Sequence, residues 1–269
     1  MPEIINSLWI GQPLSLMEQL SIASFLQNGH EYHLYCYDEI ANVPAGTVLR
    51  DAAEILPASE IFYYQCKDGK GSVSAFSNLF HFKFLLERGG WWVDADVVCL
   101  RRFDFAEPVV IASERIRTGT QATDAVLKFP RGHAAVRQCY EAASRENRAQ
   151  LTWGKTGPLL VDRVVRENGL QPFVKPPEVF CPLDYWDWKL LLAGNSNPAR
   201  KPLTNKSRAI HLWHEMWRRA GIEIKIGNDK HRWTDGLRKL FKPSGAKPGE
   251  TICSQSLFAD LLRQNGLHG

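Results

Sequence analysis

The chain has 269 residues, of which 44% are hydrophobic, 23% charged and 11% aromatic. That is enough apolar material for a sizeable core, and it excludes a disordered or collagen-like chain. No apolar run approaches the ~18 residues of a membrane-spanning helix, and Met1-Pro2-Glu3-Ile4-Ile5-Asn6 has no basic start followed by an apolar stretch, so the expected location is the cytoplasm. The net charge of +4 is unevenly spread. Between Ala199 and Lys247 there are 13 Lys/Arg against 4 Asp/Glu, a local balance of +9, and the rest of the chain sums to −5. A basic C-terminal part can face phosphates, an anionic membrane surface or an acidic substrate. The six cysteines lie at least 30 residues apart with no CxxC pair, which argues against a zinc site. Cys36 and Cys99 sit inside apolar runs and are expected as buried thiols.

Ile4 to Ile10 reads as a strand, and Ser15-Leu16-Met17-Glu18 has the form of a capping box opening a helix to Asn28, stopped by Gly29. Glu31 to Tyr37 is aromatic-rich and β-prone. Strand, helix and strand with short links predict a βαβ unit and a parallel sheet. Val43 to Gly46 is a turn, and Ile61 to Tyr64 is expected as a short strand. Ser72 or Ser74 can cap a helix through Arg88, closed by Gly89-Gly90. Trp91 to Leu100 reads as one strand, Val109 to Ala112 as another, Ala134 to Arg148 as a helix, and Pro158 as the first residue of a helix through Asn168. No repeat or Pro/Gly-rich linker divides the chain. The expected organisation is therefore a single α/β domain over residues 1–220, with a basic extension over 221–269 packed on it.

Asp94 and Asp96 are the most informative residues. On a strand, positions two apart share a face, so both carboxylates are expected to point the same way. Like charges held together repel unless a cation lies between them, and a hard divalent ion suits carboxylate oxygens. Such an ion at the carboxyl end of a central strand can also bind a diphosphate. Read without context, an Asp-x-Asp pair is more often a pair of surface acids at a strand edge.

The context is Gly89-Gly90-Trp91-Trp92-Val93-Asp94-Ala95-Asp96-Val97. It resembles the central motif of the glycosyltransferases with a DXD-containing sugar-binding region, relatives of α-1,6-mannosyl- and α-1,4-galactosyltransferases and of the large glucosylating toxins. Ser77-Asn78-Leu79-Phe80-His81 occupies the place of that family's Ser-Asp-x-x-Arg helix. Trp9-Ile10-Gly11, Thr156-Gly157-Pro158 and Ala209-Ile210-His211-Leu212-Trp213, with Trp217, resemble further family segments in order. The resemblance implies a GT-A-like domain with a mostly parallel central sheet flanked by helices, a nucleotide-sugar donor and a glycan or lipid-linked acceptor. It also implies a divalent ion, usually Mn²⁺ with Mg²⁺ as the alternative. It makes Asp96 a direct ligand of the ion, Asp94 a ligand or a ribose contact, and His211 a further ligand or a diphosphate contact. Trp9 would stack on the nucleobase. Ser77, Asn78 and His81 would face the donor. Two positions depart from the family: Asn78 stands for Asp and brings no charge, and His81 stands for Arg.

The residues taken alone leave other roles open. His211 and His214 could share a helix face, beside an aromatic cluster of Trp213 and Trp217; Trp9, Trp91 and Trp92 could all be core. Asp184, Trp186, Asp187 and Trp188 suit either a sugar acceptor or a surface turn. The expected activity is transfer of a hexosyl unit, retaining by family implication. Asp94-Ala95-Asp96-Val97-Val98 also fits the opening motif of the haloacid-dehalogenase-like phosphatases. A non-catalytic nucleotide-sugar-binding protein is the third reading, motivated by Asn78 and His81. The basic segment lacks a recognition helix or an RNA-module sheet motif, so nucleic acid is not expected as a partner, whereas peripheral contact with an anionic membrane is.

Overall fold

The computed structural model describes residues 3–11, 13–194, 197–222 and 255–267. The elements in chain order are β1 (Ile4–Trp9), α1 (Leu16–Gln27), β2 (Glu31–Cys36), β3 (Val48–Asp51), α2 (Ser74–Glu87), β4 (Gly90–Val93), β5 (Val97–Cys99), β6 (Val110–Ile116), β7 (Gly119–Phe129), α3 (Ala134–Ser144), α4 (Pro158–Glu167), α5 (Pro177–Phe180), α6 (Asn197–Arg200), β8 (Ala209–His211), α7 (His214–Arg219) and α8 (Leu257–Gln264). Six strands form the central sheet in the order β3-β2-β1-β4-β7-β6; β5 and β8 form a separate pair. The pairs β3/β2, β2/β1 and β1/β4 are parallel, and β4/β7 and β7/β6 antiparallel.

The chain leaves β1 toward β2 on one side and returns as β4 on the other. Order reverses at β1, and the carboxyl ends of β1 and β4 open onto the crevice there. The Asn6 amide pins the two strands by donating to the Trp91 carbonyl at 2.9 Å. Trp91 and Trp92 alternate across the sheet, as the period-two pleat requires. Trp91 packs on Phe103 and Phe105 on one face, Trp92 on Phe80 and Phe84 of α2 on the other, and both are fully buried. Burial of side chains of this size contributes roughly 1.5–3 kcal/mol or more apiece.

The capping box at the start of α1 is present: Ser15 Oγ accepts from Met17 N, and Glu18 accepts from the Ser15 backbone N–H at 2.8 Å. The helix ends at Gly29, whose φ of 77° suits glycine. Ser21 Oγ donates to Val97 O and Ser24 Oγ accepts from Cys99 N, so α1 fixes the start and end of β5. At the C-terminus, α8 packs Phe258 on Trp217 at 5.1 Å between ring centroids.

Several expectations change. The run from Trp91 to Leu100 is two strands, β4 and β5, in two different sheets, interrupted by a turn at Asp94-Ala95-Asp96. Residues 61–64 form no strand: Tyr64 is tied back to Gly71 and Ser72 in a loop. The α2 helix starts without a side-chain cap: Ser72 Oγ accepts from the Ser74 N–H and donates to Ser74 Oγ. Cys99 is buried but Cys36 is half-buried, because β2 ends there and β3 covers it incompletely. β3, β7 and β8 were not expected from the sequence. Most of the basic stretch, from residue 223 onward, lies outside the described residues.

Candidate active site

The carboxyl ends of β1 and β4 open onto a cavity of about 840 Å³. Trp9, Ser77, Asn78, Asp94, Asp96, Asp124, His211 and His214 all line it.

Asp94 and Asp96 do converge, but not because they share a strand face. Val97 N donates to Asp94 O at 3.1 Å, closing a turn that carries both side chains to the cavity. Asp94 is anchored by its N–H to Ala125 O and by the Trp92 indole N–H, which reaches its Oδ1 at 3.0 Å. The third partner comes from far along the chain. Val97 pairs with His211 in the β5/β8 ladder, and Leu212 N donates to Asp96 O. This registers His211 against the turn. Its Nε2 stands 3.1 Å from Asp96 Oδ2, which also accepts from the His214 N–H at 2.8 Å. His211 is therefore on a strand and His214 opens α7, so the two do not share a helix face. Trp213 between them is held at φ 61°, a left-handed conformation costing about 1–2 kcal/mol. It is retained because its indole N–H donates to Leu183 O and its ring packs on His211 at 4.0 Å.

Ligand atoms of Asp94, Asp96 and His211 lie within 4.8 Å of one another. Two carboxylates and an imidazole form a donor set that can hold a divalent cation. The charge distribution agrees. Burial raises Asp94 well above the usual carboxylate range, and the neighbouring Asp124 and Asp96 push it further. Burial would lift Asp96 too, but His211 and the His214 N–H outweigh it and hold this carboxyl down at about 2. Burial disfavours charged His211, yet Asp96 raises it well above its ordinary value. The two form a proton-sharing pair, and a divalent ion would displace that proton.

The cavity floor beside this triad was not legible in the sequence. β7 pairs Leu127 with Ile111 of β6 and then Thr123 with Ala112, so residues 124–126 bulge out of that ladder. Val126 instead pairs with Val93 of β4. Bulges re-aim side chains, and this one sends Asp124 into the cavity. Burial lifts the Asp124 carboxyl to about 7, with Glu114 adding to the effect. In the orientation that satisfies both ends of its amide, Asn78 donates to Asp124 Oδ2 at 3.0 Å and to Ser74 O at 2.9 Å, and accepts from Gly157 N at 3.1 Å. A Cβ on Gly157 would stand 2.7 Å from the Asn78 side-chain amide and 2.8 Å from Asp124 Oδ2, so only glycine fits there.

The other expected donor residues fall differently. Trp9 ends β1 at the cavity, and its ring runs nearly parallel to His214 at 6.5 Å. Ser77 lines the cavity on α2. His81 does not reach it. It is fully buried behind Asp124, 4.0 Å away, among Phe82 and Trp92, and burial drives its pKa down to about 3. The expectation of a donor contact at His81 is corrected: three residues after Asn78 on α2, its side chain turns into the core. Of the aromatic-acidic cluster, Trp188 is buried and Asp184 pairs with Arg115 at 3.0 Å; Tyr185, which was not expected there, lines the cavity.

Residues 128–231 match the family described as "Alpha 1,4-glycosyltransferase conserved region". The matched stretch holds Gly157, Pro158, His211 and Trp213; the Asp94–Asp96 turn lies before it. The chain is similar to mouse lactosylceramide 4-alpha-galactosyltransferase, 25% identical over 147 residues. The similarity to glycosyltransferases is shown. That match spans 50% of this chain and 39% of the mouse protein. Among solved structures, the PaToxG glycosyltransferase has a TM-score of 0.46 at 11% identity, over 98% of this chain and 87% of that one. The apo-form glycosyltransferase GlyE of Streptococcus pneumoniae has a TM-score of 0.43 at 13% identity, over 79% and 54%. No helix among the described residues is long and apolar enough to cross a membrane.

Proposed function

We propose that the protein transfers a hexosyl unit from a UDP- or GDP-linked sugar to a hydroxyl of a glycan or lipid-linked acceptor, with retention at the anomeric carbon. The observation that carries this reading is the meeting of Asp94, Asp96 and His211 on the floor of a cavity of about 840 Å³. These three residues would hold Mn²⁺ or Mg²⁺, which when bound neutralises charge on the departing nucleoside diphosphate. Trp9 offers an aromatic face to the nucleobase at the end of β1. Ser77 and Asn78 offer hydrogen bonds to the donor from α2. No nucleophile or base is assigned. We place the protein in the cytoplasm, with its basic 199–247 stretch against anionic membrane or acceptor and no role for nucleic acid; sedimentation with anionic liposomes at low salt tests the membrane contact, and no binding removes it.

A phosphatase would use Asp94 as nucleophile and needs a lysine nearby, but no lysine lines the cavity among the described residues. The decisive measurement is a thermal-shift panel of UDP-glucose, UDP-galactose and GDP-mannose, with and without Mn²⁺. One donor is expected to raise the melting temperature only when the ion is present. No shift with any nucleotide sugar in Mn²⁺, or phosphate release from small phosphoesters, overturns the transferase reading.

A further inference from the structure

We propose that Asp124 selects the transferred sugar, its carboxylate accepting a hydrogen bond from a hydroxyl of the donor's sugar ring. The proposal rests on the donor reading above. Three observations carry it. Asp124 is only 6% exposed, yet it lines the cavity, because the β7 bulge frees it from the β6 ladder. A carboxylate at such a place accepts hydrogen bonds and offers none when ionised, so it calls for donors. Asn78 supplies one of them. Among the described residues no lysine or arginine forms an ion pair with it; the Thr123 hydroxyl and a backbone N–H also favour its charge, as does His211, while His81 stands 4.0 Å away in the core.

Asp124 is also not part of the ion's ligand set. The atoms that cluster within 4.8 Å come from Asp94, Asp96 and His211. Asp124 stands beside that set, since Asp94 N donates to its neighbour Ala125 O at 2.9 Å. A diphosphate gripped by the ion would carry its sugar onto an adjoining patch of the floor, and a neutral ring hydroxyl is the donor a crowded carboxylate can accept without another charge.

The Gly157 contact makes the arrangement rigid. The backbone at the start of α4 presses on Asn78 and Asp124 at distances that exclude any Cβ. The amide and carboxylate therefore face the cavity in one fixed geometry, as selection between sugar epimers requires.

The test is calorimetric binding of UDP, GDP, UDP-glucose, UDP-galactose and GDP-mannose in Mn²⁺ to the full chain and to Asp124→Asn. In the wild type, the sugar of the preferred donor should tighten binding over its bare nucleoside diphosphate. Asp124→Asn should remove at least about tenfold of that gain while leaving UDP or GDP affinity within about twofold. Deoxy analogues of the preferred donor sharpen the result: removing the contacted hydroxyl should weaken the wild type and leave Asp124→Asn nearly unaffected. If the variant weakens bare nucleotide and nucleotide sugar alike, Asp124 is structural and the proposal falls. An unchanged sugar gain overturns it as well. If no nucleotide binds the wild type, the donor reading itself fails and takes this role with it. Asp124→Glu and the melting temperature of each variant guard against misfolding: a folded Asp124→Glu with altered epimer preference supports the proposal, and one with unaltered preference opposes it.

Discussion

Asp96, half-buried, and Asp124, buried, lie on the floor of the same cavity, and their surroundings drive them apart. Asp96 sits against His211 and the His214 N–H, and it stays at about 2 although burial opposes its charge. Asp124 has the Asn78 amide, the Thr123 hydroxyl and a neutral ring 4.0 Å away, Glu114 opposes its charge, and burial carries it to about 7. One environment stabilises a fixed negative charge and suits a cation; the other leaves a carboxylate in need of neutral hydrogen-bond donors. The partners supplied by the fold, rather than the residue type, set the chemistry of each.

The largest expected effect falls on the Asp96 side. Asp96→Ala removes a proposed ion ligand and the partner of His211 together, and sugar transfer in Mn²⁺ should drop at least ~100-fold. Near-normal turnover by a folded variant would break the contrast between the two aspartates. On the Asp124 side, Gly157→Ala forces a methyl into space already occupied by Asn78 and Asp124. Overpacking of this kind should cost roughly 1–3 kcal/mol in denaturant unfolding and weaken nucleotide-sugar binding more than binding of the bare diphosphate. An unperturbed variant would show that the floor is looser than the distances imply.

A third prediction concerns the ring behind Asp124. The folded pKa of His81 is about 3, below the 6.5 of an exposed histidine. Between those values the unfolded chain binds the extra proton, so the stabilising effect of a neutral His81 is complete above pH 6.5 and lost as pH falls toward 3. The wild type should lose up to about 1.4 kcal/mol per pH unit from this group in that window. His81→Phe should flatten that acid limb, and parallel curves for the two proteins would contradict the burial. The smallest effect is expected at a residue that does not line the cavity. Ser15→Ala, which removes the α1 cap, should cost ~1 kcal/mol of stability and leave donor preference unchanged.

The β1-α1-β2 unit is legible in the residues alone, because the Ser15–Glu18 capping box, Gly29 and the apolar periodicity are local signals that act over a few residues. The sequence also picked out Asp94, Asp96 and His211, the last only through the resemblance. It reached the right convergence of the two aspartates for the wrong reason, since a turn and not a strand face aims them. Tertiary structure alone decided which residues meet. His211 comes to Asp96 by β-pairing across more than a hundred residues. His81 turns into the core when α2 packs on Trp92. Position 78 reads as a charge lost, yet a carboxylate reaches the same floor from Asp124 through a strand and a bulge that the alternation of Gln121 to Phe129 did not announce. Propensity and caps are written in neighbouring residues, whereas bulges and long-range ladders depend on which partner strand arrives alongside, and no local pattern records that.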